Sequence, residues 1–240
     1  MALSCQPTYQ VARQDVRNYQ VREVPRDTAW QSIDEIIQPY RSQLKEEISE
    51  VVGEVEHELS KARPESSLGN FLADALLSYA QEMTEVDIDF ACLNYGGVRV
   101  PSIPAGALTV EKIYEVMPFD NILVVLPLSG LVMKQLLDRI AQTGGWPIST
   151  GIHFRIDNGA AEDIIIGDME LEPEQTYYVA LPDYITNGGD RCFFLPEIEP
   201  LDLRVVLIRD ALIEWSRDNF QAGETISAEL ENRITNTPSQ

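Results

Sequence analysis

Histidine is scarce in this chain: among 240 residues only His57 and His153 carry an imidazole. Dinuclear metal hydrolases and Ser/His or Cys/His enzymes draw heavily on that ring, so chemistry of those kinds finds few donors here. Cysteine is nearly as rare. Cys5, Cys92 and Cys192 make an odd number, at spacings that fit neither a zinc motif nor a disulfide framework. Cys92 and Cys192 stand in apolar runs and read as small buried hydrophobes. Basic residues are in deficit, 18 Lys and Arg against 39 Asp and Glu, for a formal net charge of −21. A field of that sign repels long nucleic acid and anionic lipid, yet leaves room for a local basic pocket that holds one small anion. No run approaches the roughly 18 consecutive apolar residues of a transmembrane segment. There is also no Gly-x-Gly-x-x-Gly opening a helix, no phosphate loop with Gly-Lys-Ser/Thr and no His-Glu-x-x-His, which sets aside P-loop phosphoryl transfer and zinc proteolysis.

What is present reads as one domain. Residues 1–27 form a polar N-terminal arm, 28–220 the domain and 221–240 a polar tail expected to fray. The stretch Leu3-Ser4-Cys5 resembles the end of a bacterial lipoprotein signal, which implies export to the periplasm or cell envelope with a lipid anchor on Cys5. Trp30, Ile33, Ile37, Tyr40, Leu44, Ile48 and Val51 recur every three or four residues, the period of a helix with one buried face, ended near Gly53. Val55, His57 and Leu59 alternate with polar residues and predict a half-buried strand, with His57 on its inward face. Ser66 and Ser67 are caps for a helix from Leu68 to about Met83, and Thr109 and Ser129 cap two more. Strands are expected at 86–93, 122–127, 152–156, 163–166 and 177–181, and a last amphipathic helix at 205–215. Because strands and helices do not alternate strictly, the pattern predicts an α+β layered single domain, a mixed β-sheet with packed helices, rather than a doubly wound one.

Ser42 and Lys45 have the Ser-x-x-Lys spacing of penicillin-recognising enzymes, but Leu44 between them belongs to the helical stripe and no Lys-Thr-Gly follows. Two loops are more informative. Each follows a strand, holds paired glycines and carries a group suited to a polar ligand: Asn94 and Arg99 flank the first, and Asp190 ends the second. Arginine offers a planar fork to a carboxylate or phosphate, asparagine an amide to a base or sugar edge, and aspartate an acceptor for vicinal hydroxyls. Phe119 and Tyr184 stand beside these loops, and two such rings can clamp a flat base. Spacing alone favours the plainer alternatives: ordinary turns, an Arg99 paired with a surface carboxylate and a core Phe119.

Four segments together resemble a family. Leu68-Gly69-Asn70-Phe71-Leu72-Ala73-Asp74-Ala75 is similar to a helix opening in the C-terminal domain of 5'-nucleotidases. Asn94-Tyr95-Gly96-Gly97-Val98-Arg99 is similar to that domain's first glycine loop, Met117-Pro118-Phe119-Asp120-Asn121 to its Pro-Phe-x-Asn segment, and Asn187-Gly188-Gly189-Asp190 to its second glycine loop, all in the family's order. The resemblance implies that Phe119 and Tyr184 stack on a base, Asn121 contacts it, Asp190 takes the ribose hydroxyls, and Arg99 the phosphate end. Arg63 is a weaker match to an upstream phosphate-binding arginine. Tyr95 stands in place of a loop glycine, and Arg191 in place of the last glycine of the second loop. The family's metallophosphoesterase domain, with its Asp-x-His and Gly-Asn-His segments, has no counterpart in these residues. The resemblance therefore implies a nucleotide- or nucleoside-recognition half that binds no cofactor itself, with divalent metals on a separately encoded metallophosphoesterase partner. A non-catalytic nucleoside-binding lipoprotein or an interaction scaffold is the alternative.

Overall fold

The computed structural model describes residues 28–237, so Cys5 and the expected N-terminal arm lie outside the described residues. Two units divide the chain, residues 1–43 and 44–240. Helix α1, Thr28–Ile48, supplies the described part of the first unit and runs into the start of the second. The predicted helix is there, but the buried face is not: Ile33, Ile37, Tyr40 and Leu44 are all exposed. Periodicity registers that a helix has an apolar side; it does not supply the surface that covers it.

The second unit opens with β1 (Val51–Val55) and β2 (Leu59–Ser60), followed by α2 (Ser67–Glu82), β3 (Phe90–Ala91), β4 (Ser102–Ile103), β5 (Gly106–Thr109) and α3 (Val110–Val116). It continues through β6 (Leu123–Ser129), α4 (Gly130–Gln142), β7 (Ile152–Asp157), β8 (Ala160–Ile166), β9 (Met169–Glu170) and β10 (Thr176–Pro182). The end is α5 (Asp183–Thr186), α6 (Ile208–Gln221) and β11 (Ile234–Asn236). The caps fall where serine and threonine predict them. Ser66 accepts from the Gly69 amide at 3.0 Å, Thr109 from Lys112 at 3.3 Å and Ser129 from Val132 at 3.5 Å, each satisfying an amide that the first turn leaves open.

The centre is a three-stranded sheet in the order β3-β10-β6, with β10 parallel to β3 and antiparallel to β6. Its residues alternate between two cores, as the two-residue period of a strand requires. Ala91, Val125 and Ala180 face a cluster built with α2, α3 and α6, while Phe90, Leu126, Val179 and Leu181 face one built with α4, β7 and β8. Both faces are thus covered, which gives the layered α+β arrangement. A second sheet, β11-β7-β8-β9, and two antiparallel pairs, β1 with β5 and β2 with β4, complete it.

Four expectations are corrected. His57 is exposed: β1 stops at Val55, and the ring lies 3.3 Å from the Ser227 hydroxyl rather than in the core. The strand expected at 86–93 shrinks to Phe90–Ala91, because the Gln81 side chain takes the Ile88 amide and the Val86 carbonyl that a ladder needs. The last helix starts at Ile208, since residues just before it stay extended, with the Val206 carbonyl accepting from the Leu123 amide at 3.0 Å. The polar stretch after residue 220 is also built in. Ile226 is buried against β1, and β11 pairs in parallel with β7.

Candidate functional site

Three loops meet at one edge of the central sheet because of its strand directions. Parallel β3 and β10 end there and antiparallel β6 begins there. The segments leaving β3 (Asn94 to Arg99), leaving β10 (Tyr184 to Asp190) and entering β6 (Phe119 to Asn121) are therefore neighbours although far apart in sequence. Asp183 ties two of them together: its carboxylate accepts from the Ile122 amide at 2.9 Å, and its own amide donates to the Ile122 carbonyl at 2.9 Å.

Between the loops lies a cavity of about 300 Å³ lined by Asn94, Gly96, Gly97, Arg99, Phe119, Asn121, Tyr184 and Asp190. That volume is at the small end of ligand pockets, roughly 300–1,000 Å³. Phe119 and Tyr184 are 41% and 45% exposed, so neither is a core ring, and both present apolar surface to the cavity. Asn121 lines it while its backbone carbonyl is held by the Ile208 amide at 2.9 Å. The Arg99 guanidinium donates to the Gly96 carbonyl at 3.3 Å and stands 5.7 Å from the Phe119 ring centroid.

Asn94 and Asp190 join the two glycine loops directly, Nδ2 to Oδ2 at 2.8 Å. Asn94 Oδ1 is buried with no hydrogen-bond partner, an arrangement that costs roughly 1–3 kcal/mol unless an N–H or O–H donor arrives. Gly97 is needed beside it, since a Cβ there would come within 2.7 Å of that oxygen. Close approach, not a positive φ, thus accounts for this glycine. In the second loop the reason is conformational: Gly188, Asp190 and Arg191 have φ of 90°, 48° and 66°. Left-handed backbone at Arg191 is costly for a residue with a Cβ, and Arg139, donating to the Asp190 carbonyl at 2.6 Å, helps to hold it.

Arg63 is not among the residues lining the cavity. Its guanidinium lies 3.8 Å from the Tyr95 ring centroid, and the Lys61 ammonium lies 3.9 Å from the same ring while donating to the Val98 carbonyl at 2.6 Å. Burial, then the positive charges of Arg63 and Arg99, push the Lys61 pKa below its usual range. The ion pairs among the described residues, such as Arg209 with Asp120 and Arg233 with Asp74, include none of these three cations. In a chain with 39 carboxylates, Lys61 and Arg63 on the Tyr95 ring, with Arg99 near enough for its charge to act on Lys61, concentrate positive charge of the kind that attracts an anion. An anion there favours the charged ammonium, so the Lys61 midpoint is expected to rise when inorganic phosphate is added, followed by NMR. Phosphate affinity then falls as pH climbs through that depressed midpoint; a Lys61 titration indifferent to phosphate would show that the cations do not act together.

Sequence reasoning selected the cavity-lining set but passed over Lys61, Asp183 and Arg139. Lys61 had a signal, its place two residues before Arg63. Asp183 and Arg139 had none, because their roles are contacts across the fold. His153 is exposed on β7, so both histidines lie outside the cavity lining. Among the described residues no three His, Cys, Asp or Glu side chains converge to hold a metal ion.

Residues 51–196 match the model of the 5'-nucleotidase C-terminal domain. The chain belongs to that family. All seven residues selected from the sequence, Arg63 to Asp190, fall inside the matched segment. The 5'-nucleotidase of Vibrio vulnificus (strain CMCP6) is 30% identical over 177 residues, covering 70% of this chain and 30% of that protein. Protein UshA of Escherichia coli (strain K12) is 26% identical over 189 residues, covering 75% of this chain and 33% of that protein. The crystal structure of a 5'-nucleotidase precursor from Thermus thermophilus superimposes with a TM-score of 0.70 at 26% identity, covering 88% of this chain and 44% of that one. The chain thus spans about a third of the length of the curated relatives it matches. No helix among the described residues is long and apolar enough to cross a membrane.

Proposed function

We propose that this domain is the nucleotide-recognition half of a 5'-nucleotidase-type phosphohydrolase in nucleotide breakdown. The observation that carries it is one small cavity with two exposed rings and an arginine, beside an unpaired cation cluster. Phe119 and Tyr184 stack on the base, Asn121 contacts its edge and Asp190 accepts from the ribose hydroxyls. The open Oδ1 of Asn94 takes a further ligand donor. Arg99, with Arg63 and Lys61, draws the phosphate end to one side of the cavity and fixes its orientation by charge.

On this reading the chain binds and orients the nucleotide. A metallophosphoesterase partner supplies the metal ions, whose chemistry is activation of the attacking hydroxide and neutralisation of charge at phosphorus. The Leu3-Ser4-Cys5 stretch, outside the described residues, supports a cell-envelope location.

The test is direct. The purified chain is expected to bind adenosine and its 5'-monophosphate in calorimetry, the monophosphate more tightly, and to release phosphate only when mixed with a metallophosphoesterase subunit from the same organism. Absence of any nucleoside or nucleotide binding would sink the recognition role. Binding without hydrolysis at every mixing ratio would remove the partnership and leave nucleoside capture.

A further inference from the structure

The exposed apolar side of α1 is explained by neither the core nor the cavity. Ile33, Ile37, Tyr40 and Leu44 are between 39% and 73% exposed, and they are spaced by four, three and four residues. That is the 3.5-residue heptad of a two-helix seam, with Ile36, 68% exposed, widening it along one edge. With Ile37 and Leu44 at position a, Ile33 and Tyr40 fall at d, and Trp30 continues the pattern upstream in the sequence. Pro39 falls at c, on the side away from the seam, and does not interrupt it.

We propose that α1 pairs antiparallel with α1 of a second copy of this chain. The charges choose both partner and direction. Asp34 and Arg41 each occupy an e position, seven residues apart on one edge of the helix, where their side chains already stand 3.9 Å apart. When Ile33 packs on Leu44 of the second copy and Ile37 on its Tyr40, the two e edges face one another. Asp34 then meets Arg41 of the second copy, and the two-fold axis repeats the pair. Parallel pairing instead sets Ile37 on Ile37, Tyr40 on Tyr40 and Ile36 beside Arg41, with no opposite charges matched. The antiparallel seam is self-complementary and closed, so it stops at a dimer. With only four layers along the seam, association is weak and reversible.

Sedimentation equilibrium of the full chain over a concentration series at physiological ionic strength tests this. The wild type is expected to move from monomer to dimer mass. Asp34→Arg and Arg41→Asp singly should each weaken the dimer about tenfold, since each reversal places like charges at both symmetric pairs. The doubly swapped Asp34→Arg/Arg41→Asp chain should regain wild-type association, and Ile37→Glu should abolish it. These side chains are exposed, and unchanged circular dichroism would verify that each variant folds. A wild type that stays monomeric throughout overturns the proposal; so does a dimer that ignores the single reversals or is not restored by the swap.

Discussion

Alanine at both Phe119 and Tyr184 is expected to abolish nucleoside binding measured by calorimetry. Each base–aromatic stack contributes about 1–3 kcal/mol, so losing two weakens binding by roughly 30-fold to more than ten-thousand-fold. The rings are exposed and carry little of the fold, so the melting temperature should hardly move. Each single variant should fall between wild type and the double variant, because one ring still offers a face to the base. Unchanged affinity in the double variant would end the assignment of this cavity to a nucleoside.

A comparably large effect, on stability instead of binding, is expected from Arg233→Ala. The Arg233 side chain is 6% exposed and forks onto Asp74 of α2 at 2.9 and 2.7 Å, with Glu231 and the Ile148 carbonyl also in reach at 2.8 and 2.9 Å. Its backbone amide donates to Glu65, which also accepts from Asn70 and the Glu231 amide. Arg233 is buried but Asp74 and Glu231 are 34% and 57% exposed, so water partly replaces the lost counter-charge and the loss of these charged hydrogen bonds costs about 1.5–3 kcal/mol. For a domain of this size that lowers the melting temperature by roughly 3–12 °C. Arg217→Ala is the control. Its pair with Glu50 has the same forked geometry, at 2.8 and 2.9 Å, but is largely exposed, and should cost about 1 kcal/mol or less. Equal melting shifts for the two variants in differential scanning calorimetry would show that the C-terminal segment is not anchored through Arg233.

This network also shows where sequence reading stops. Residues 221–237 are polar, and polarity alone predicts a fraying end. Glu65 and Arg233 are 168 residues apart, so no local pattern announces that the tail is held by the loop carrying Lys61 and Arg63. The cation cluster was hidden in the same way. Arg99 was visible as the end of a glycine loop, while the meeting of Lys61 and Arg63 on Tyr95 required two distant segments to be brought together.

The capping serines and threonine and the glycine loops were legible because each depends on a residue and its near neighbours: an open amide takes the nearest hydroxyl, and a left-handed or crowded backbone selects glycine. The four ordered motifs likewise identified the family from the chain alone. What tertiary structure alone decided was adjacency. With β10 lying parallel to β3 and antiparallel to β6, two strand ends and one strand beginning share an edge, and Asn94, Phe119, Tyr184 and Asp190 become the walls of one cavity. Strand pairing is set by both faces of the sheet being buried at once, a condition on the whole chain that no single segment contains.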